Sequence, residues 1–280
     1  MNRGSCHTGG IGMKDFETLI CREAEAVATI SLNRPDSFNA LNETLCFELQ
    51  DAFRAIAEDG GIRAVVLTGE GRAFSAGQDL RSMETAGADP AASVKEVLRR
   101  RYAPLILAMR ELPKPIVGAI NGVAAGAGMS LALATDIRVA SDKASFMQAF
   151  SRVGLVPDAG SNYFLVQLVG LPRALEMAWT ARRVGIDEAL ELGLVNRVVP
   201  ADDLARAAQE LAASLARGPL KAIALTKAAM IKATSASLSE ILDLEADLQA
   251  ECIVTDDFTE GVTAFLEKRE PRFGQTPSPA

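Results

Sequence analysis

The chain has 280 residues, of which 49% are hydrophobic and 23% charged, and its formal charge is −7. That composition suits a globular protein with one main core and a helical appendage, and the negative charge sets it apart from proteins whose main ligand is nucleic acid. No apolar run nears the ~20 residues that span a bilayer.

Residues 1–13 lack the continuous apolar core of a signal peptide and read as a disordered leader, in which Met13 offers an alternative start. The leader carries the single histidine, His7, so a Ser-His-Asp triad and a histidine-rich metal site are excluded. Cys6, Cys21, Cys46 and Cys252 are scattered without metal spacing and read as free thiols of a reducing cytoplasm. Alternation predicts strands over 16–21 and 26–32, paired as a hairpin around 22–25, and Asn33-Arg34-Pro35-Asp36 ends the second. Asn42 is placed to cap a helix whose apolar residues Leu45, Leu49, Phe53 and Ile56 follow at helical spacing, and Gly60-Gly61 stops it. A buried strand is expected over 64–68, then a loop over 69–77.

Asp89-Pro90 opens a helix over about 91–109, on which Arg99, Arg100 and Arg101 read as a solvated basic run. Pro113 and Pro115 bracket the return to a central strand over 116–120. Gly122, Gly126 and Gly128 break that strand, and from Ala127 the residues are small or helix-forming. Two readings of this strand, glycine turn and helix stay open: close packing of helix on strand, or a place where backbone N–H groups at a helix start hold a negative oxygen. The Walker lysine-serine pair and the dinucleotide glycine spacing are both missing. A further strand is expected over 137–140, an ambiguous stretch over 146–152 and a loop over 154–160. Short helices are expected over 161–169, 173–180 and 187–192, and longer ones over 202–216, 220–233, 238–252 and 258–268. Strands alternating with helices, then helices alone, imply an α/β core with a helical C-terminal part.

Four motifs occur in order: A-F-S-A-G-Q-D-L at 73–80, N-G-V-A-A-G-A-G at 121–128, L-V-P-D-A-G-S at 155–161 and D-F-T-E-G-V-T-A-F-L-E-K-R-E-P-R-F at 257–273. Together they resemble the crotonase superfamily, also called the enoyl-CoA hydratase/isomerase family, over about 16–273. The resemblance implies a ClpP-like spiral of βββα repeats. It divides the chain into the leader 1–13, a catalytic core 14–200 and a helical oligomerisation region 201–280 that builds a homotrimer or a dimer of trimers. It implies an acyl-CoA thioester as substrate, coenzyme A being part of that substrate, with no separate cofactor, metal, nucleic acid or membrane partner. The thioester oxygen would sit between the backbone N–H groups of Gln78 and Ala127, where enolate charge develops. Phe38, Ala40, Ala76, Gly77, Asp79, Leu80 and Arg81 match positions that line coenzyme A. Arg34 and Arg81 are candidate phosphate neighbours. Gly126, Gly128 and Pro157 count among the substrate-binding positions.

Hydratases of this family activate water with two glutamates. The matching positions here are Ser130 and Phe150, which cannot serve as general base and acid and would instead shape the acyl pocket. Asp158 is the remaining carboxylate. Val-Pro-Asp-Ala-Gly, Gly-Gln-Asp-Leu and the 146–150 run resemble the branch that shifts double bonds, including the ring isomerase of phenylacetyl-CoA degradation and the Δ3,Δ2-enoyl-CoA isomerases. The implied activity is isomerisation with Asp158 as sole base. Hydration, another thioester reaction and a catalytically silent acyl-CoA-binding scaffold are the alternatives. A structural role for Asp158, as the N-cap of the helix near Ser161, competes with the catalytic one.

Overall fold

The computed structural model describes residues 16–79, 81 and 89–274, so the expectations for the leader, His7, Cys6 and Leu80 lie outside the described residues. Two sheets form its centre. The larger takes β1 (Leu19–Ala24), β2 (Val27–Leu32), β3 (Ala64–Gly69), β5 (Ile116–Ile120), β7 (Ile137–Ser141) and β10 (Arg197–Val199), side by side in that order. Only the β1–β2 hairpin is antiparallel. The smaller sheet takes β4 (Ala73–Ser75), β6 (Val123–Ala125), β8 (Ser145–Met147) and β9 (Arg183–Val184), parallel except for β9. The chain therefore lays one long strand in the first sheet and one short strand in the second on each of three turns: β3 then β4, β5 then β6, β7 then β8.

The central strands of the larger sheet are buried on both faces, which is why β3 and β5 read as unbroken apolar runs. Alternate residues serve opposite layers. Val65, Leu67, Ile116 and Ile120 join the main core with α1 (Glu43–Glu58). Ala64, Val66, Val117 and Ala119 face the other way, onto the alanine-rich side of α8 (Leu204–Ala216). Alanines at 207, 208, 212 and 213 let that helix lie close to the sheet.

Several expectations shift. The first hairpin turns at Glu25 and Ala26, both left-handed with φ of 53° and 59°, although neither is Gly or Asn. The expected loop over 69–77 contains β4, and the glycine turn after β5 contains β6. The expected helix 91–109 is three pieces: α2 (Pro90–Val97), a π-helical turn (Leu98–Tyr102) and α3 (Ala103–Glu111). Pro104 accounts for the break, because its ring would strike the carbonyl of Arg100 in a regular helix. The wider turn leaves carbonyls over, and the Gln50 side chain of α1 donates to those of Arg100 (3.2 Å) and Arg101 (3.0 Å).

The remaining elements are α4 (Ala127–Leu133), α5 (Ser161–Val169), α6 (Leu171–Thr180), α7 (Ile186–Glu191), α9 (Leu220–Ala233), α10 (Leu238–Ile253) and α11 (Asp256–Glu267). Lys227 ties α9 to the core: its Nζ lies 2.8 Å from Asp136 Oδ2 and donates to the Met109 carbonyl at 3.0 Å.

Candidate active site

Three loops meet at the carboxyl ends of the parallel strands β4, β6 and β8, the end of an open α/β sheet where ligands bind. The first follows β4. Leu41 bridges to Gln78 as a parallel partner: its N–H donates to the Gly77 carbonyl (2.7 Å) and its carbonyl accepts from the Asp79 N–H (3.0 Å). In such a bridge the N–H and C=O of Gln78 itself point away from Leu41, to the side where β6 lies next to β4.

The second loop follows β6. Gly126 has φ 51° and ψ −127°, a conformation suited only to glycine, and Ala127 begins α4 one residue later. The first N–H of a helix has no acceptor within it. The two loops touch: a Cβ on Gly77, which has φ 94°, would stand 2.6 Å from the Ala125 carbonyl oxygen and 3.2 Å from the Ala127 nitrogen. Gly128 is pressed as closely on β4, since a Cβ there would meet the Ser75 carbonyl oxygen at 2.3 Å. Of the two readings of the glycine stretch, close packing of helix on strand is seen at Gly128. Gly128 serves the packing, and Gly126 sets the turn that presents Ala127.

The third loop follows β8 and carries Phe150, Pro157 and Asp158. Phe150 is buried, with its ring tip 4.0 Å from where a Cβ of Gly126 would be. Ala159 (φ 48°) and Gly160 (φ 80°) turn the chain into α5. The N-cap of α5 is Gly160, and Asp158 gives the helix no side-chain cap. The Asp158 backbone carbonyl instead takes the Ser161 N–H at 2.9 Å. Its carboxylate Oδ1 is buried without a hydrogen-bond partner among the described residues. Burial pushes the Asp158 carboxyl up to about 6. A carboxylate near neutral pKa, able to accept a proton, is the form a general base takes.

Ser130 is fully buried on α4. Its hydroxyl lies 3.0 Å from the Asp158 carbonyl oxygen and 3.3 Å from that of Gly126. It ties the Asp158 loop to the helix that begins at Ala127.

The 34–41 segment runs beside the first loop. The Ala76 N–H donates to the Phe38 carbonyl at 2.9 Å. Arg34, a candidate phosphate neighbour, pairs with Asp79 at 2.9 Å and also donates to the Ala40 carbonyl, which fixes two loops together. Phe38 (φ 52°) and Asn39 (φ 55°) are consecutive left-handed residues, and the half-exposed Phe38 ring lies under the Arg72 guanidinium, 5.0 Å away. Asn39 is buried and donates to the carbonyls of Glu70 (2.9 Å) and Ala73 (2.8 Å). Arg81 is exposed.

Sequence reasoning missed Tyr102. The last residue of the π-helical turn, it is 3% exposed, and its hydroxyl donates to the Gln78 side-chain carbonyl. Burial pushes its phenol well up, and the charges of Cys46 and of Asp158 add to that. Pro104, two residues on within a helical pattern, was the available signal of an irregular turn.

The chain matches the profile described as enoyl-CoA hydratase/isomerase over residues 22–276. A relative from Rhodobacter capsulatus named "Probable enoyl-CoA hydratase" is 45% identical over 92% of this chain and 98% of its own. The 1,2-epoxyphenylacetyl-CoA isomerase of Escherichia coli K12 is 39% identical over the same shares. The crystal structure of an enoyl-CoA hydratase from Bacillus anthracis superposes with a TM-score of 0.87 at 36% identity, covering 92% of this chain and 99% of that one. The spiral of two sheets with trailing helices is the crotonase fold.

Proposed function

This chain belongs to the enoyl-CoA hydratase/isomerase family, whose members act on coenzyme A thioesters, and from that premise we propose that it shifts the double bond of an enoyl-CoA with Asp158 as its only base. The observation that carries the reading is the state of Asp158: a half-buried carboxylate with one buried oxygen unpaired among the described residues, not engaged as a helix cap, and raised toward neutral pKa. Ser130 and Phe150 support it, because the family resemblance matches them to the two hydratase glutamates and neither carries a carboxylate. Ser130 is moreover spoken for by two carbonyls.

In this mechanism a 3-enoyl-CoA lies with its thioester oxygen between the N–H groups of Gln78 and Ala127. Asp158 takes a proton from C2. The C–H electron pair becomes the C1–C2 π bond, and the thioester π pair moves onto the oxygen, where the two N–H groups stabilise it. One such donor is worth about 10²–10³ in rate elsewhere. The carboxyl then delivers the proton to C4: the oxygen pair re-forms the C1=O bond, the C1–C2 π pair moves to form C2=C3, and the old C3=C4 π pair takes up the proton. Coenzyme A enters as part of the substrate, and the shuttle calls for no further cofactor.

Hydration is the second reading, favoured by the name of the R. capsulatus relative. Assaying a 3-enoyl-CoA and a 2-enoyl-CoA side by side tests the choice. Isomerisation with little hydration is expected. Hydration as the faster reaction would overturn the proposal, and thioester binding without turnover would identify a silent binder.

The helices after β10 are proposed to pack against further copies, as a trimer or a dimer of trimers. Met230, Leu242, Phe258, Val262, Phe265 and Leu266 support this by lining one exposed apolar groove across α9, α10 and α11. A stable monomer by light scattering at micromolar concentration would overturn it. We place the protein in the cytoplasm on its free Cys21, Cys46 and Cys252 thiols. Among the described residues no helix is long and apolar enough to cross a membrane.

A further inference from the structure

Tyr102 occupies a place that neither chemistry nor packing alone would choose. A phenol that is 3% exposed needs a partner for its hydroxyl, and the partner it has is the side-chain carbonyl of Gln78. The turn that carries it is irregular. Ala103 N–H reaches back five residues to the Leu98 carbonyl, and Gln50 of α1 holds the carbonyls of Arg100 and Arg101. Single π-helical turns inside α-helices occur frequently at functional sites. Here the turn is fixed from outside by α1 and aims one side chain at one residue.

Gln78 is held on its other side as well. Leu41 brackets it through Gly77 and Asp79, and Asp79 is fixed by Arg34. The backbone bridge sets the plane of the Gln78 peptide, while the Tyr102 hydroxyl holds the side-chain carbonyl and the side-chain amide donates to the Asp79 carbonyl at 3.3 Å. Tyr102 also lies within the electrostatic reach of Asp158.

We propose that Tyr102 is a positioning residue for the oxyanion site: through its hydrogen bond to the Gln78 side chain it keeps the Gln78 N–H aimed at the enolate oxygen. This role rests on the enolate reading given above. It assigns the Gln78 side chain a purpose, as the handle by which the loop is held, while the chemistry uses only the backbone. It also accounts for the π-helical turn, since a regular helix would present residue 102 at a different angle. Misplacing a reacting contact by about 1 Å can cost about 10²-fold in rate, which sets the scale of the effect.

The test is a double-mutant cycle with Tyr102→Phe, Gln78→Ala and both together, each retaining the backbone N–H at position 78. Two rates are read on every protein: isomerisation of a 3-enoyl-CoA, and exchange of the C2 protons of butyryl-CoA in D2O, which reports enolate formation alone. Each single variant is expected to lose about ten- to a hundredfold in kcat with KM within about twofold. The double variant is expected to be no slower than the worse single one, because both remove the same hydrogen bond. A merely structural role would give losses that multiply. Full kcat in Tyr102→Phe, multiplying losses, or a loss confined to KM would each overturn the proposal. If Tyr102→Phe does not fold, Gln78→Ala at the partly exposed position decides alone, and full kcat there overturns the role. Wild-type exchange without isomerisation would overturn the isomerase reading while Tyr102 is still judged on exchange. A wild type that does neither overturns both.

Discussion

Replacing Asp158 by Asn separates catalysis from stability in opposite directions. The carboxyl sits at about 6 against a usual value of 3.8, and burial is the cause. A group whose folded pKa is raised contributes stability that is present below its unfolded pKa and lost as pH rises through the folded one. Ionised Asp158 is therefore a burden on the fold at pH 8. At about 1.4 kcal/mol for each pH unit the ceiling is about 3 kcal/mol, and the remaining solvent contact of this half-buried residue screens it to about 1–3 kcal/mol. Asn is neutral, nearly the same size, and leaves no cap undone, because α5 is capped at Gly160. Asp158→Asn should thus melt a few degrees above wild type at pH 8, at about 2–4 °C per kcal/mol for chains of this size. The gap should open between about pH 4 and pH 6 and vanish at lower pH. Isomerisation should fall by about 10²–10⁴-fold, toward the upper end for a base that moves both protons. Wild-type kcat/KM should rise with pH through about 6 and then level, since the base must be ionised. The assay pairs thermal melts at pH 4, 6 and 8 with steady-state rates on a 3-enoyl-CoA. A variant that keeps most of the rate removes Asp158 as the base, and one that is less stable than wild type at pH 8 refutes the burial argument.

Ser130→Ala removes the hydroxyl that joins α4 to the Asp158 loop, and should cost about 1 kcal/mol of stability with a kcat loss of about tenfold at constant KM; unchanged kcat would show that the loop needs no tether. Gly128→Ala puts a Cβ 2.3 Å from the Ser75 carbonyl oxygen, so β4 must yield, and chemical denaturation should register a loss of about 1–3 kcal/mol. Lys227→Met strips Asp136 of its 2.8 Å partner while Arg110 stays at 3.4 Å, which places the cost toward the low end of about 3–5 kcal/mol. Faster amide exchange confined to α9 and its contacts should accompany it.

What the sequence made legible follows the range of the forces involved. The start of α1 is written within four residues, Asn42 accepting the Leu45 N–H at 2.9 Å, and α5 and α9 begin and end where their apolar periods and glycines say. β4 and β6 were hidden inside loops because each has three residues and gains its identity from a partner about fifty positions away. The turn at Glu25–Ala26 offered no glycine to read. In the candidate site, the glycine turns and Asp158 stood out as motifs. Tyr102, Gln50 and Asn39 did not, because what they do is set by contacts 24 to 51 residues distant in sequence. The competing role for Asp158 as a helix cap could be decided only by the left-handed Ala159 and Gly160, which move the start of α5 past it.

Left-handed residues also occur away from the site, at Glu25, Ala26, Ala181 and Lys268, but several irregular features gather around it. Phe38 and Asn39 in left-handed conformation, Gly77 and Gly126 at φ values suited to glycine, Ala159 at φ 48°, the π-helical turn and the unpaired Asp158 oxygen all lie around the carboxyl ends of β4, β6 and β8. The left-handed Phe38, Asn39 and Ala159 each cost of order 1–3 kcal/mol and persist only where their surroundings hold them. The surroundings here do so by side chains reaching to main chain: Asn39 to Glu70 and Ala73, Ser130 to Asp158, Gln50 to the Arg100–Arg101 carbonyls, Arg34 to Ala40. A chain shaped for stability alone would have relaxed these loops. That they stay strained, and are strapped down from three directions, is what a site requires if two backbone donors and one carboxylate must keep fixed distances while charge moves between them.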